Sequence, residues 1–408
     1  MKKWQLNNKY FWIMAVMISG VLKSQTTSTP IIHQDKSKLL LAKDSSLFLK
    51  FYQKMDEMQE GKKDRLYIAQ MGGSHTQGGL WAEQLMNGFQ GLGNYSGGGV
   101  YIFPFKIVRS NTPSFYRSFG TGKWKRCRSA ITKELCNNLG VSGMAAITND
   151  SLTSFGFKLL ATSNPKSFNS LKVYHNFNSN FKMSLTDSTL RYQQIEFKEN
   201  GYSEFVFENE IDSIQFKVLR LDTLQRDFVL RGMSAENKNR GFYYATLGVN
   251  GASTSSFLRC TEFTNDLKVI PPDMVIFCLG VNDTHDMNFT KERFIANYDS
   301  LVNQIKKVSP DCAFLFVTTT DNYIRRKTPN KRPIKAAEAA YELAEKHKGA
   351  VYDLYAVMGG YKSIYRWYRA GYASRDKVHF SGKGYRIIGN MMFDAIRSNY
   401  QYNSKLKK

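Results

Sequence analysis

Leu66-Tyr-Ile-Ala-Gln-Met-Gly-Gly-Ser-His75 sets an apolar run of strand length against a pair of glycines. Beyond the pair, Leu80, Trp81, Leu85, Met86 and Phe89 recur at helical spacing. The pattern predicts a buried strand, a tight turn and a helix. Ser74 then falls just past the strand, at the first turn of helix. In open α/β sheets, reactive groups gather beyond the carboxyl ends of the strands. Backbone N–H groups at such a turn also point toward developing negative charge. Taken alone, Gly-Gly-Ser reads more readily as an ordinary turn.

The same alternation resumes toward the C-terminus. Tyr244–Val249, Met274–Leu279, Ala313–Val317 and Ala350–Asp353 are strand candidates, with helical patterns over 291–308, 334–348 and 384–399. Strands alternating with helices predict an α/β fold with a parallel sheet covered on both faces. Between the two α/β stretches the texture changes. Ser170-Leu-Lys-Val-Tyr-His175, Ser203-Glu-Phe-Val-Phe207 and Ser213-Ile-Gln-Phe-Lys-Val218 alternate with period two. They predict a small antiparallel β-sandwich inserted into the α/β domain.

The opening residues read as a targeting segment. Lys2 and Lys3 precede the apolar run Phe11–Leu22, and small polar residues follow from Ser24. That run is shorter than the ~20 residues of a membrane span, so a cleaved signal peptide is expected; an uncleaved anchor is the other reading. The expected organisation is therefore a signal peptide at 1–24, and a flexible lead-in with an N-terminal helix at 25–64. The first part of the α/β domain follows at 65–149, the inserted sandwich at 150–235, the second part at 236–402 and a basic tail at 403–408. After cleavage no integral membrane span is expected, and the protein would be periplasmic or secreted.

At 42% hydrophobic, 14% aromatic and 22% charged residues, the composition excludes wholesale disorder. The formal charge is +23, and removing Lys2, Lys3, Lys9 and Lys23 with the leader leaves +19. Such a surface suits polyanions. For an exported protein an acidic glycan or cell envelope fits better than nucleic acid, and a merely solvated basic surface fits as well. None of the five cysteines forms a C-x-x-C pair, so no metal site is expected. Cys127 and Cys136 are close enough in sequence to pair in an oxidising compartment.

Three further segments follow strands or precede the last helix. Gly248-Val-Asn-Gly251 can bring a backbone N–H close to a ligand. In Gly280-Val-Asn-Asp283, the Asn282 amide is a neutral donor suited to an oxyanion, and Asp283 can fix the turn. Each also reads as a plain turn. In Asp376-Lys-Val-His379 the carboxylate can set the tautomer of the imidazole.

In their order, these motifs resemble the series of the SGNH/GDSL hydrolases. Three match closely; the first departs, with Gly73 where that family usually has Asp. The resemblance covers about 65–140 and 236–400. It implies a flavodoxin-like three-layer α/β/α sandwich and a serine esterase that needs no cofactor or metal. Ser74 would be the nucleophile, His379 the general base and Asp376 its orienting acid. The Ser74 and Gly251 N–H groups and the Asn282 side chain would form the oxyanion hole, with Gly73 and Asp283 in support. A narrower likeness rests on Gly72-Gly-Ser-His-Thr-Gln77, Gly97-Gly-Gly-Val-Tyr-Ile-Phe-Pro104 and the β-rich insertion. It points to envelope carbohydrate O-acetylesterases, with acetylated glycan as substrate and peptidoglycan as one candidate. The alternatives are a lipase or small-ester esterase, and a catalytically weakened carbohydrate-binding protein on the same fold.

Overall fold

The computed structural model describes residues 31–134, 136–223 and 226–406. The expected signal peptide lies outside the described residues. Among the described residues, no helix is long and apolar enough to cross a membrane.

Six strands run parallel at the centre of the molecule. Their spatial order is Gly97–Ile102, Gly241–Gly248, Arg65–Gly72, Met274–Cys278, Ala313–Val317 and Ala350–Tyr352. Leaving aside Gly97–Ile102, the order by sequence is 2-1-3-4-5, that of a flavodoxin-like sheet. Met274–Phe277 and Ala313–Val317 are buried along their length, as strands covered on both faces must be. Helices Ser46–Gln59, Leu80–Gly91 and Gly382–Leu406 pack together through Tyr52 on Tyr400 and Phe89 on Phe393. Lys291–Lys306 and Arg332–His347 form a second group, tied by Asp299 to His347 and Lys346.

Register places the site. Gly72, where the first strand ends, lies opposite both Gly248 and Cys278. The turns carrying Ser74, Gly251 and Asn282 therefore leave the sheet at the same level. A Cβ on Gly248 would stand 2.3 Å from the Gln77 nitrogen, so only glycine lets the nucleophile helix come this near the strand.

The β-rich block is joined to this sheet rather than hung from it. Strand Phe228–Glu236 pairs antiparallel with Gly97–Ile102 and carries the same sheet on through Phe168–His175, Tyr202–Ile211 and Tyr192–Phe197. A second sheet, ordered Tyr116–Thr121, Leu152–Leu159, Ser213–Arg220 and Phe181–Leu185, packs against that extension. Phe155 stacks on Phe228, Phe157 meets Phe168 and Phe205 meets Phe216 across the interface. The antiparallel strands begin well before the expected boundary at residue 150. Tyr116–Thr121, Lys125–Arg128 and Met144–Thr148 already belong to this layer. The reason is that such short strands carry too little periodicity to announce themselves.

Two terminal expectations are corrected. Within the lead-in placed at 25–64, Leu39–Leu41 is an edge strand paired antiparallel with Ala350–Tyr352. Three leucines have no alternation to read, and only the partner strand fixes them. Within the tail placed at 403–408, the last helix continues to Leu406.

Candidate active site

Ser74 opens the short helix Ser74–Gln77 after Gly73, whose φ of −93° and ψ of −143° turn the chain sharply out of the strand. The Ser74 hydroxyl lies 2.7 Å from His379 Nε2. On the far side of the ring, His379 Nδ1 lies 2.7 Å from Asp376 Oδ2. With the carboxylate accepting from Nδ1–H, the Nε2 lone pair faces Ser74 and can take its proton. The other Asp376 oxygen accepts the backbone N–H groups of Val378 and His379 at 2.9 and 3.0 Å. Partial burial works against the Asp376 charge. The hydrogen bonds from the His379 ring and from the two backbone groups outweigh it and hold the carboxyl far below its ordinary range. The side chains of His379 and Asp376 remain 38% and 31% exposed, so the site opens to solvent instead of lying in a tunnel.

The Asp376–His379 turn is held from outside. Lys377 has a left-handed φ of 57°. Its ammonium sits over the rings of Tyr323 and Tyr365 and donates to the Arg326 carbonyl. Its carbonyl accepts the Tyr323 N–H, and Ser374 N–H donates to the His379 carbonyl at 2.7 Å.

Gly251 sits in a turn closed by the Ala252 N–H on the Val249 carbonyl, and its φ of 85° requires glycine. Among the described residues, no acceptor lies against the N–H of Ser74 or of Gly251. The Asn282 amide donates to the Ala252 carbonyl at 2.8 Å. The same nitrogen lies 3.1 Å from where a Gly73 Cβ would stand. Asn282 is thus wedged between the residue before Ser74 and the residue after Gly251, with its second N–H still available. Asp283 accepts from the Thr254 N–H and hydroxyl, fixing the segment that follows Gly251. Burial pushes the Asp283 carboxyl up, against the hydrogen bonds from Thr254. All seven residues singled out in the sequence, from Gly73 to His379, therefore meet beyond the carboxyl ends of the central strands.

Other contributors carried no role in the sequence. Gln77 accepts the Asn250 N–H at 2.7 Å while donating to Ser110 and Asn111. His75 lies behind the catalytic pair, its ring 5.1 Å from that of His379, with Nδ1 on the Tyr385 hydroxyl. Burial first, and the neighbouring His379 second, push His75 down to about 3, so it is neutral. Cys127 and Cys136 are joined in a disulfide. Within the loop it closes, Ala130 lies 3.7 Å from where a Gly251 Cβ would stand. Cys127, Glu134 and Cys136 are also grouped closely enough for a metal, but both sulfurs are in the disulfide.

Comparison with known proteins agrees with this architecture. Residues 213–387 match the GDSL-like Lipase/Acylhydrolase family. The match takes in the turns of Gly251, Asn282, Asp376 and His379; Ser74 lies upstream of it, beyond the β-rich block. The chain is similar in fold to a peptidoglycan O-acetylesterase of solved structure, with 18% identity and a TM-score of 0.68 over 86% of this chain and 96% of that one. Smaller shares align with an acetyl xylan esterase (19% identity, TM-score 0.31, 38% of this chain and 81% of that one). A putative GDSL-like lipase from Parabacteroides merdae aligns similarly (20% identity, TM-score 0.32, 38% and 72%). No curated protein matches the chain. The protein carries a GDSL/SGNH acylhydrolase domain and is an esterase.

Proposed function

We propose that this esterase is exported and removes O-acetyl groups from a carbohydrate polymer, with peptidoglycan the leading candidate, by a Ser74–His379–Asp376 acyl-enzyme mechanism. The observation that carries the reading is the unbroken line from Ser74 Oγ through the His379 ring to Asp376, each contact 2.7 Å. His379 takes the Ser74 proton as Oγ attacks the ester carbonyl. Asp376, ionised throughout the working pH range, stabilises the imidazolium that forms. The tetrahedral oxygen is received by the Ser74 and Gly251 N–H groups and the Asn282 amide. His379 then protonates the leaving sugar hydroxyl. Water, activated by the same ring, releases acetate from Ser74. The chain's own residues supply every proton transfer.

An open, solvent-facing triad suits a polymer that must lie across it better than a single acyl chain that must be enclosed. The fold shared along most of the chain with a peptidoglycan O-acetylesterase supports the glycan reading. Export, to the periplasm or beyond, is part of the same proposal and rests on Lys2, Lys3 and the apolar run Phe11–Leu22.

The test is acetate release from O-acetylated peptidoglycan, acetylated xylan and an aryl acetate, by wild type and by Ser74→Ala. Ser74→Ala is expected to lose about 10⁴-fold or more in kcat on every substrate it serves. Its thermal unfolding should match wild type. Retained turnover would remove Ser74 from the mechanism; turnover confined to the aryl acetate would remove the glycan.

A further inference from the structure

The β-rich layer holds a cleft of ≈570 Å³ whose lining includes Arg109, Lys123, Trp124, Lys125, Asn149 and Asp227. Three cations face one carboxylate there. Among the described residues, Arg109, Lys123 and Lys125 make no ion pair, although the protein uses many of its other basic side chains in such pairs. Trp124 is fixed in place. Its indole N–H donates to the Thr121 carbonyl at 3.0 Å, and its ring meets Phe155 and Phe228 edge to face. A half-buried indole held this way offers its remaining surface to the C–H face of a sugar at little entropic cost.

Both walls of the cleft lead directly into the proposed oxyanion turn. Arg109 is followed by Ser110 and Asn111, which accept from Gln77, and Asn111 also accepts the Asn250 side-chain amide at 2.6 Å. On the other wall, the strand Lys125–Arg128 leads to Ala130 beside Gly251. Ala130 is five steps along the chain from Lys125, a span of at most about 18 Å. The cleft thus lies within the length of a few sugar units of the Gly251 turn.

We propose that this cleft is a binding subsite for a glycan bearing carboxylate groups. Trp124 takes a sugar face, Arg109, Lys123 and Lys125 take the carboxylates, and Asn149 and Asp227 take hydroxyls. The cleft selects an acidic polymer and holds it across the triad. This rests on the reading of Ser74 as nucleophile, and it names the substrate class that reading leaves open.

The test uses full-length protein in two arms. In the first, Ser74→Ala protein is co-sedimented with peptidoglycan sacculi, with insoluble acetylated xylan as the neutral probe and a single-stranded oligonucleotide as competitor. Lys123→Ala/Lys125→Ala and Trp124→Ala, each added to Ser74→Ala, should weaken binding to sacculi by about tenfold. Binding should fall as salt rises, and Lys123→Arg/Lys125→Arg should restore it. Equal weakening of xylan binding by Lys123→Ala/Lys125→Ala would overturn the acidic class, and so would displacement by stoichiometric oligonucleotide. Undiminished binding of both variants to sacculi would overturn the subsite.

In the second arm, the same substitutions in otherwise wild-type protein are compared on O-acetylated peptidoglycan and on an aryl acetate. The ratio of kcat/KM on polymer to that on aryl acetate should fall about tenfold, through KM. An unmoved ratio would overturn the subsite. Failure of the nucleophile reading shows separately, as aryl acetate turnover that survives Ser74→Ala.

Discussion

Gln77 Oε1 accepts the Asn250 N–H at 2.7 Å, joining the helix that begins at Ser74 to the turn that presents Gly251, 173 residues away in sequence. The distance between nucleophile and oxyanion donor thus depends on a buried amide that touches neither. Gln77→Ala leaves the Asn250 N–H and the Asn111 carbonyl without this partner, at a cost of about 1–3 kcal/mol. It should lower kcat on an aryl acetate about tenfold or more by loosening the turn. Steady-state kinetics alongside denaturant unfolding would check both effects; a stability loss with kcat intact would mean that Gln77 only packs.

Gly73 stands where the SGNH/GDSL resemblance places an aspartate, a residue whose carboxylate could brace the turn through hydrogen bonds. With φ at −93°, left-handed strain is not the reason for glycine. Space is the reason. A Cβ would lie 3.1 Å from the Asn282 amide nitrogen and 3.3 Å from the Ala252 carbonyl oxygen, which already bond to each other. Gly73→Ala should push Asn282 by a few tenths of an ångström and lower kcat by about tenfold. Gly73→Asp should do worse, because it adds a carboxylate beside a carbonyl and close to the developing oxyanion. A rise in kcat for Gly73→Asp would show that bracing outweighs crowding.

Acid stability should report the buried histidines. Burial first pushes His75 down to about 3 and His175 to about 4, against an unfolded value of 6.5. Below pH 6.5 the unfolded chain binds protons that the folded one refuses, so stability is lost as pH falls from 6.5 toward these values. Asp321 has the opposite sign. Burial, opposed by backbone N–H groups, pushes it up to about 6, so its protonation favours the fold between pH 6 and 3.8. Urea unfolding from pH 7.5 to 5 should give a falling curve that His75→Gln flattens and Asp321→Asn steepens. A His75→Gln curve parallel to wild type would show that His75 is protonated in the fold.

Cutting out residues 150–235 should unfold the protein. That segment holds most of Phe228–Glu236, which covers the Gly97–Ile102 edge of the central sheet. It also holds Arg231, whose guanidinium pairs with the fully buried Asp266 of the α/β part. A buried carboxylate stripped of its partner costs about 3–5 kcal/mol, and a bared sheet edge invites aggregation. Soluble expression and thermal unfolding of the excised chain would check this; a cooperative, active product would make the sandwich a separable module.

Local pattern in the sequence determined the parallel-strand core. Met274–Cys278 and Ala313–Val317 are apolar throughout because both their faces are covered, and a run of that kind can be read without knowing its neighbours. The positions of Ser74, Asn282, Asp376 and His379 were legible for a related reason: each sits a fixed few residues from a strand end or helix start. What the tertiary structure alone decided is how the parts are joined. The pairing of Phe228–Glu236 with Gly97–Ile102, the edge strand Leu39–Leu41 and the approach of Ala130 to Gly251 are contacts between segments far apart in the chain. The roles of Gln77 and His75 depend on Asn250 and Tyr385, which lie 173 and 310 residues away. Periodicity records which face of a segment is buried; it does not record which segment buries it.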